Sequence, residues 1–270
     1  MGFKTNSTIM SNSAIVRYDP TSAWDSYTTH TSNSNVSLDF YGTDITAYGT
    51  GYAHAYQIFL DERQISDYAQ RHFNNSEVAD YYRCTTDNPS DGFCVALLEL
   101  RGLDPTTRHT IKIRSIVTGD EYIQALQWLV QYDTGIDDSA STAHLTNLWP
   151  SEGSITYSGS WGTLVGGDKV THTPGDTSKF TFTGSGIQIF AMAAPGTRLR
   201  IELDGDAQEI APTETRSAEI IAYEYPTLYS RLGLDKSVPH NVTITNIVDA
   251  SNANPLVNVT FKQMVIWKDG

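Results

Sequence analysis

Two of the seven histidines recur inside the same tripeptide, Thr29-His30-Thr31 and Thr171-His172-Thr173. Nucleophilic catalysis by such a histidine needs an attacking hydroxyl or thiol and an orienting acid beside it. The sequence has neither a Gly-x-Ser-x-Gly elbow nor a carboxylate pair of glycosidase type. His109 and His240 each lead into an alternating segment, where an imidazole is expected to bond to a turn carbonyl. Asp137-Asp138 and Asp204-x-Asp206 offer oxygens of the kind calcium takes, but neither run follows an EF-hand loop. No His/Cys cluster has zinc spacing. The expectation is no catalytic residue and no cofactor, with structural calcium as the one metal chemistry the acidic turns could serve.

Aromatic side chains are the better candidates for ligand contact. A sugar ring presents apolar C–H faces that stack on an open Trp or Tyr, while polar neighbours fix its orientation. Tyr48, Tyr52 and Tyr56 flank Gly49-Thr50-Gly51, read as a loop, with His54 beside them. Tyr223 and Tyr225 fall in the matching long loop of the second half, and Trp149 precedes Pro150. The candidate ligand-binding residues are therefore Tyr52, His54, Tyr56, Trp149, Tyr223 and Tyr225. Trp24 and Trp161 follow the first strand of each half, and their matched placement points to the cores.

The elements that must position these residues come in two copies. At an offset of 142, Thr29-His30-Thr31 falls on Thr171-His172-Thr173, Phe40 on Phe182, Gly42 on Gly184 and Ile45 on Ile187. Each block reads as strand, Gly turn, strand, the pairing of a hairpin. At 143, Ile58–Asp61 falls on Ile201–Asp204, with Asp204-Gly205 the clearer turn. At 131, Gly102-Leu103-Asp104 falls on Gly233-Leu234-Asp235 and His109 on His240; at 136, Gln127–Val130 falls on Gln263–Ile266. The drop from 143 to 131 gives the first half an insertion of about twelve residues, around Cys84 and Cys94. Alternation at Ile111/Ile113 and Val242/Ile244 marks strands. Helical spacing is sparse, confined to Ser66–Phe73. The expected fold is all-β, two tandem jelly-roll-type β-sandwich domains related by internal duplication, over residues 1–134 and 135–270. The first carries a polar N-terminal arm, with Thr5–Ser13 free.

The 270 residues suit two domains, each long enough to bury a core. A net charge of −13 without a basic patch argues against nucleic acid and against anionic membrane surfaces. No run of about 18 apolar residues is present. Met1-Gly2 opens without a signal-peptide apolar stretch and is read as an added start, with any native signal removed. Cys84 and Cys94 enclose a Pro/Gly-containing polar stretch and are expected to pair as a disulfide pinning the insertion. Glycosylation sequons begin at Asn6, Asn35, Asn74, Asn241 and Asn258. Cysteines and sequons together point to a secreted or cell-surface protein.

The run Ile155–Trp161, Thr171-His172-Thr173, Phe180–Ile187, Leu203-Asp204-Gly205, Leu228–Leu234 and His240–Asn246 resembles β-sandwich repeats of fungal secreted and membrane-anchored surface proteins. Those repeats are similar to galactose-binding-like and carbohydrate-binding-module jelly rolls. The resemblance covers residues 136–270 closely and 14–134 more loosely; Asp44 departs from it where the second half has Gly186. It implies a non-catalytic, extracellular, lectin-like glycan-binding protein with cell-wall carbohydrate as partner. The alternative is a structural or adhesive surface protein that self-assembles or acts as a spacer, and a glycan-active enzyme ranks third.

Overall fold

In a computed structural model, residues 2–10, 13, 15–25, 27–51, 55–65, 95–137, 144–193, 197–211, 227–248 and 259–268 are described. Tyr52, His54, Cys84, Cys94, Asn74, Tyr223, Tyr225, Asn258 and the Ser66–Phe73 segment lie outside them. The first half contributes β1 (Gly2–Met10), β2 (Val16–Asp19), β3 (Thr28–Thr29), β4 (Asn35–Phe40), β5 (Asp44–Gly51), β6 (Tyr56–Leu60), β7 (Arg63–Gln64), β8 (Val95–Leu100), β9 (His109–Ser115) and β10 (Ile123–Asp137). The second contributes β11 (His144–Leu148), β12 (Thr156–Ser158), β13 (Trp161–Thr163), β14 (Lys169–Thr171), β15 (Thr177–Thr183), β16 (Gly186–Ala193), β17 (Thr197–Leu203), β18 (Asp206–Ile210), β19 (Thr227–Leu232), β20 (Pro239–Val248) and β21 (Val259–Lys268). Among the described residues the only helical element is a 3-10 turn at Thr21–Ala23.

The all-β class expected from the sequence is what the chain adopts. Among the described residues its strands hydrogen-bond into four small sheets rather than into the two jelly-roll sandwiches expected. Two sheets, β1-β10-β5-β8 with β3 on β10 and β2-β4-β9-β6-β7, come wholly from residues 2–137. The other two, β13-β14-β21-β16-β19 with β11 on β21 and β12-β15-β20-β17-β18, come wholly from residues 144–268. Among the described residues every strand pairing is antiparallel. β10 runs on through Asp137, past the expected boundary at Thr134.

Period-2 patterning decides which face each strand buries. β4 and β9 alternate strictly, so Val36, Leu38, Ile111 and Ile113 are fully buried while Ser37 and Lys112 look outward. Val242, Ile244, Phe180 and Phe182 do the same in the second half. The expected hairpin between the first two matched strands is absent: β4 and β5 pair in different sheets, as do β15 and β16. The glycine between them turns a corner. A Cβ on Gly42 would lie 2.6 Å from the Gln131 carbonyl oxygen, and one on Gly184 would lie 2.4 Å from that of Trp267. Gly49-Thr50-Gly51 is likewise strand: it ends β5 and pairs with Ala125, Gln124 and Ile123 of β10.

Residues 2–10 are not a free arm. β1 pairs with β10 along nearly its whole length, from Gly2↔Asp137 to Met10↔Gln127. Its other side meets the second half. Ser7 and Ser230 hydroxyls are 2.9 Å apart, and the Gln188 side-chain amide donates to the Thr8 carbonyl at 3.0 Å. Beside them the Arg231 guanidinium stacks 3.2 Å from the Tyr41 ring centre. Tyr41 donates its hydroxyl to Asp206 at 3.0 Å, and Arg231 pairs with the same carboxylate at 3.2 Å. Burial of the phenol is the main cause of an upward shift in the Tyr41 pKa.

Candidate functional site

The histidines settle first. His109 Nδ1 is 2.8 Å from Asp61 Oδ2 and Nε2 is 3.0 Å from the Asp104 carbonyl oxygen, while Asp61 Oδ1 accepts from the Thr110 amide at 2.8 Å. The second half repeats this atom for atom. His240 Nδ1 is 2.6 Å from Asp204 Oδ2, Nε2 is 2.9 Å from the Asp235 carbonyl oxygen, and Asp204 Oδ1 accepts from the Asn241 amide at 2.7 Å. Both rings are buried and lie 5.7 Å from Phe40 and 5.3 Å from Phe182. These pairs staple the β6–β7 and β17–β18 turns to the loops before β9 and β20. The turn-carbonyl reading of these histidines holds, and the aspartates are the partners that the sequence reading passed over.

In the Thr-His-Thr pair the threonine does the structural part. Thr29 Oγ1 donates to the Ala23 carbonyl at 2.8 Å and lies 2.9 Å from Ser34 Oγ. Thr171 Oγ1 donates to the buried Asp176, which also accepts from the Ser160 amide at 3.0 Å. His30 and His172 are exposed. Asp204 and Asp206 are each engaged by protein donors, His240 and the Asn241 amide for one, Tyr41 and Arg231 for the other. Among the described residues no three His, Cys, Asp or Glu side chains gather to hold a metal ion.

The aromatic candidates divide. Tyr56 starts β6 and faces the same way as Ile58, so its ring is core, 4% exposed, with its hydroxyl donating to the Leu97 carbonyl at 2.9 Å. A ligand in solution cannot reach it, and Tyr56 is withdrawn as a contact residue. Trp24 packs edge-on against Tyr18 at 5.0 Å and is 6% exposed, as expected. Trp161 does not follow its counterpart: it begins the edge strand β13 and is only half buried.

Around Trp161 an aromatic lip forms where the two second-half sheets meet. Tyr157 of β12 and Trp161 of β13 lie 4.9 Å apart at 56°, and Trp161 rests 5.6 Å from the buried Phe261. Trp161 donates its indole N–H to the Ser158 carbonyl at 3.2 Å. Tyr157 donates its hydroxyl to the Pro150 carbonyl at 2.9 Å, tying the ring to the turn that carries Trp149. Burial pushes the Tyr157 pKa up. Trp149 is 42% exposed, and its turn is held by Glu152, whose carboxylate accepts from the Trp149 amide at 3.2 Å. The loop between β13 and β14 closes the group: Gly166 and Gly167 take φ of +100° and +92°, and a Cβ on Gly167 would touch Ser151 at 3.5 Å. That turn leaves Leu164 and Val165 exposed beside the lip. The arrangement offers aromatic rings, a cation at Lys169 and backbone oxygens, the groups that binding sites use.

No protein-family model matches the chain, and no curated protein matches it. Among solved structures it is similar to a family two carbohydrate esterase from Cellvibrio japonicus, with 14% identity over 47% of this chain and 34% of that one and a TM-score of 0.39. An acetyl xylan esterase from Butyrivibrio proteoclasticus gives 17% identity over 47% and 33%, with a TM-score of 0.35. The chain thus spans about a third of the length of these esterases. The CBM22-1–CBM22-2 tandem domain of a Paenibacillus barcinonensis protein gives 8% identity over 99% and 94%, with a TM-score of 0.31. Each of these TM-scores lies below 0.5.

Proposed function

We propose that the protein is a non-catalytic, extracellular glycan-binding protein that takes a sugar ring on the lip formed by Trp149, Tyr157 and Trp161. The observation that carries this reading is the aromatic pair Tyr157–Trp161, 4.9 Å apart, with Tyr157 hydrogen-bonded to Pro150 in the turn that bears the open Trp149. Tyr157, fixed in this way, loses little rotamer freedom on binding, so stacking on it is not offset by ordering. The units of the reading are two duplicated all-β halves, residues 2–137 and 144–268, each built of two sheets. Its support is the repeated strand order: β3-β10-β5-β8 with β4-β9-β6-β7, then β14-β21-β16-β19 with β15-β20-β17-β18. The disulfide and the glycosylation of the sequons, Asn35 and Asn241 among them, belong to the same extracellular proposal. A glycan array probed with the purified protein tests it. Saturable binding to at least one glycan, lost with Trp149→Ala, is the expected result; absence of binding across the array contradicts it.

A further inference from the structure

Lys169 gives the lip a charge preference. Its ammonium donates to Thr163 Oγ1 at 2.7 Å and lies 5.5 Å from the centre of the Tyr157 ring. Thr163 and Lys169 are direct cross-strand partners of β13 and β14, and Trp161 is paired two residues further along with Thr171, on the same side. The ammonium is therefore held at the lip rather than sweeping solvent, and with three donors it retains some for a ligand. Among the described residues no carboxylate lies within ion-pair distance of it, whereas Arg17, Arg108, Lys112, Arg198, Arg231 and Lys262 each have one.

The acids of the surrounding segments are engaged elsewhere. Asp168 pairs with Lys262 at 3.4 Å. Asp176 is buried against Thr171 and the Ser160 amide. The Glu152 carboxylate accepts from the Trp149 amide. The net charge of −13 repels anions at long range, but beyond about 8 Å that field is screened at physiological ionic strength, leaving the local ammonium to act on a bound ring.

Resting on the glycan-binding reading above, we infer that this lip selects acidic sugars, the uronate carboxylate of a ring stacked on Trp149 or Trp161 pairing with Lys169. The test is calorimetric titration of the full chain with pairs that differ only in charge: an oligogalacturonide and its methyl ester, and uronate-bearing xylan and alginate oligosaccharides before and after carboxyl reduction. The acid of at least one pair is expected to bind about threefold to tenfold tighter than its neutral form, the range of a part-exposed charge-assisted contact. Lys169→Met brings that ratio to about one, 1 M salt does the same, and Lys179→Met, on the far sheet face, keeps it. Equal affinity within every pair overturns the acidic preference and leaves glycan binding standing, as does a preference that survives Lys169→Met. No binding to any member overturns the acidic preference, and the glycan array alone then decides the glycan-binding reading.

Discussion

His109 and His240 hold their places with both ring nitrogens against oxygens, each ring spanning a turn carboxylate and a loop carbonyl. Removing the buried ring gives up its contacts to an exposed carboxylate and a loop carbonyl, a net loss of about 0.5–1.5 kcal/mol for such a hydrogen bond. His240→Ala is therefore expected to lower the unfolding free energy by about that amount, read as a lower urea midpoint, and an unchanged midpoint would show that the staple adds nothing. The sequence displays the histidines and the aspartates at matched offsets, but in separate blocks, 143 for Asp61/Asp204 and 131 for His109/His240. Nothing in spacing says that two blocks touch, because that contact is made by the sheet. Trp161 was hidden for a different reason. Its counterpart Trp24 follows a 3-10 turn and is buried, while Trp161 opens an edge strand, so equal sequence position gives unequal exposure.

Elements were legible wherever one face is wet. The alternation in β4, β9, β15 and β20 gives strand and buried face at once. Pairing partners were not: a Gly between two strands reads as a hairpin, and only the close approach of Gly42 to Gln131 and of Gly184 to Trp267 shows a corner between sheets. Tyr56 was misplaced for a related reason, since β6 begins at the tyrosine itself and the Tyr56/Ile58 alternation is short. Two tight two-residue hairpin turns among the described residues invite a test. Asp204-Gly205 and Asp61-Glu62 both have positive φ at both positions, with Glu62 at +63° where the second half has glycine. A side chain there is strained by about 1–2 kcal/mol, partly offset by the entropy that glycine loses. Glu62→Gly is expected to raise the thermal midpoint slightly despite loss of the exposed contact to Lys112. A lowered midpoint would contradict a strained turn.

At the scale of the whole molecule, duplication was visible as four ordered blocks, and the contact between the halves was not. It rests on Ser7, Thr8, Tyr41, Gln188, Asp206 and Arg231, none of which belongs to a repeat of contact chemistry. Arg231→Ala removes the Tyr41 stack and the Asp206 pair together, and small-angle scattering should then show a broadened distribution of maximum dimension; an unchanged profile would place the coupling in β1 alone. A fixed pair of halves presents the Trp149–Trp161 lip in one orientation, which suits a long polymeric ligand. The most direct measurement is calorimetric titration of the wild type and Trp149→Ala with the glycan that gives the strongest array signal. Saturable binding weakened about tenfold or more by the substitution, roughly 1.4 kcal/mol, is the predicted result. Identical affinities for the two proteins would contradict the assignment of the site.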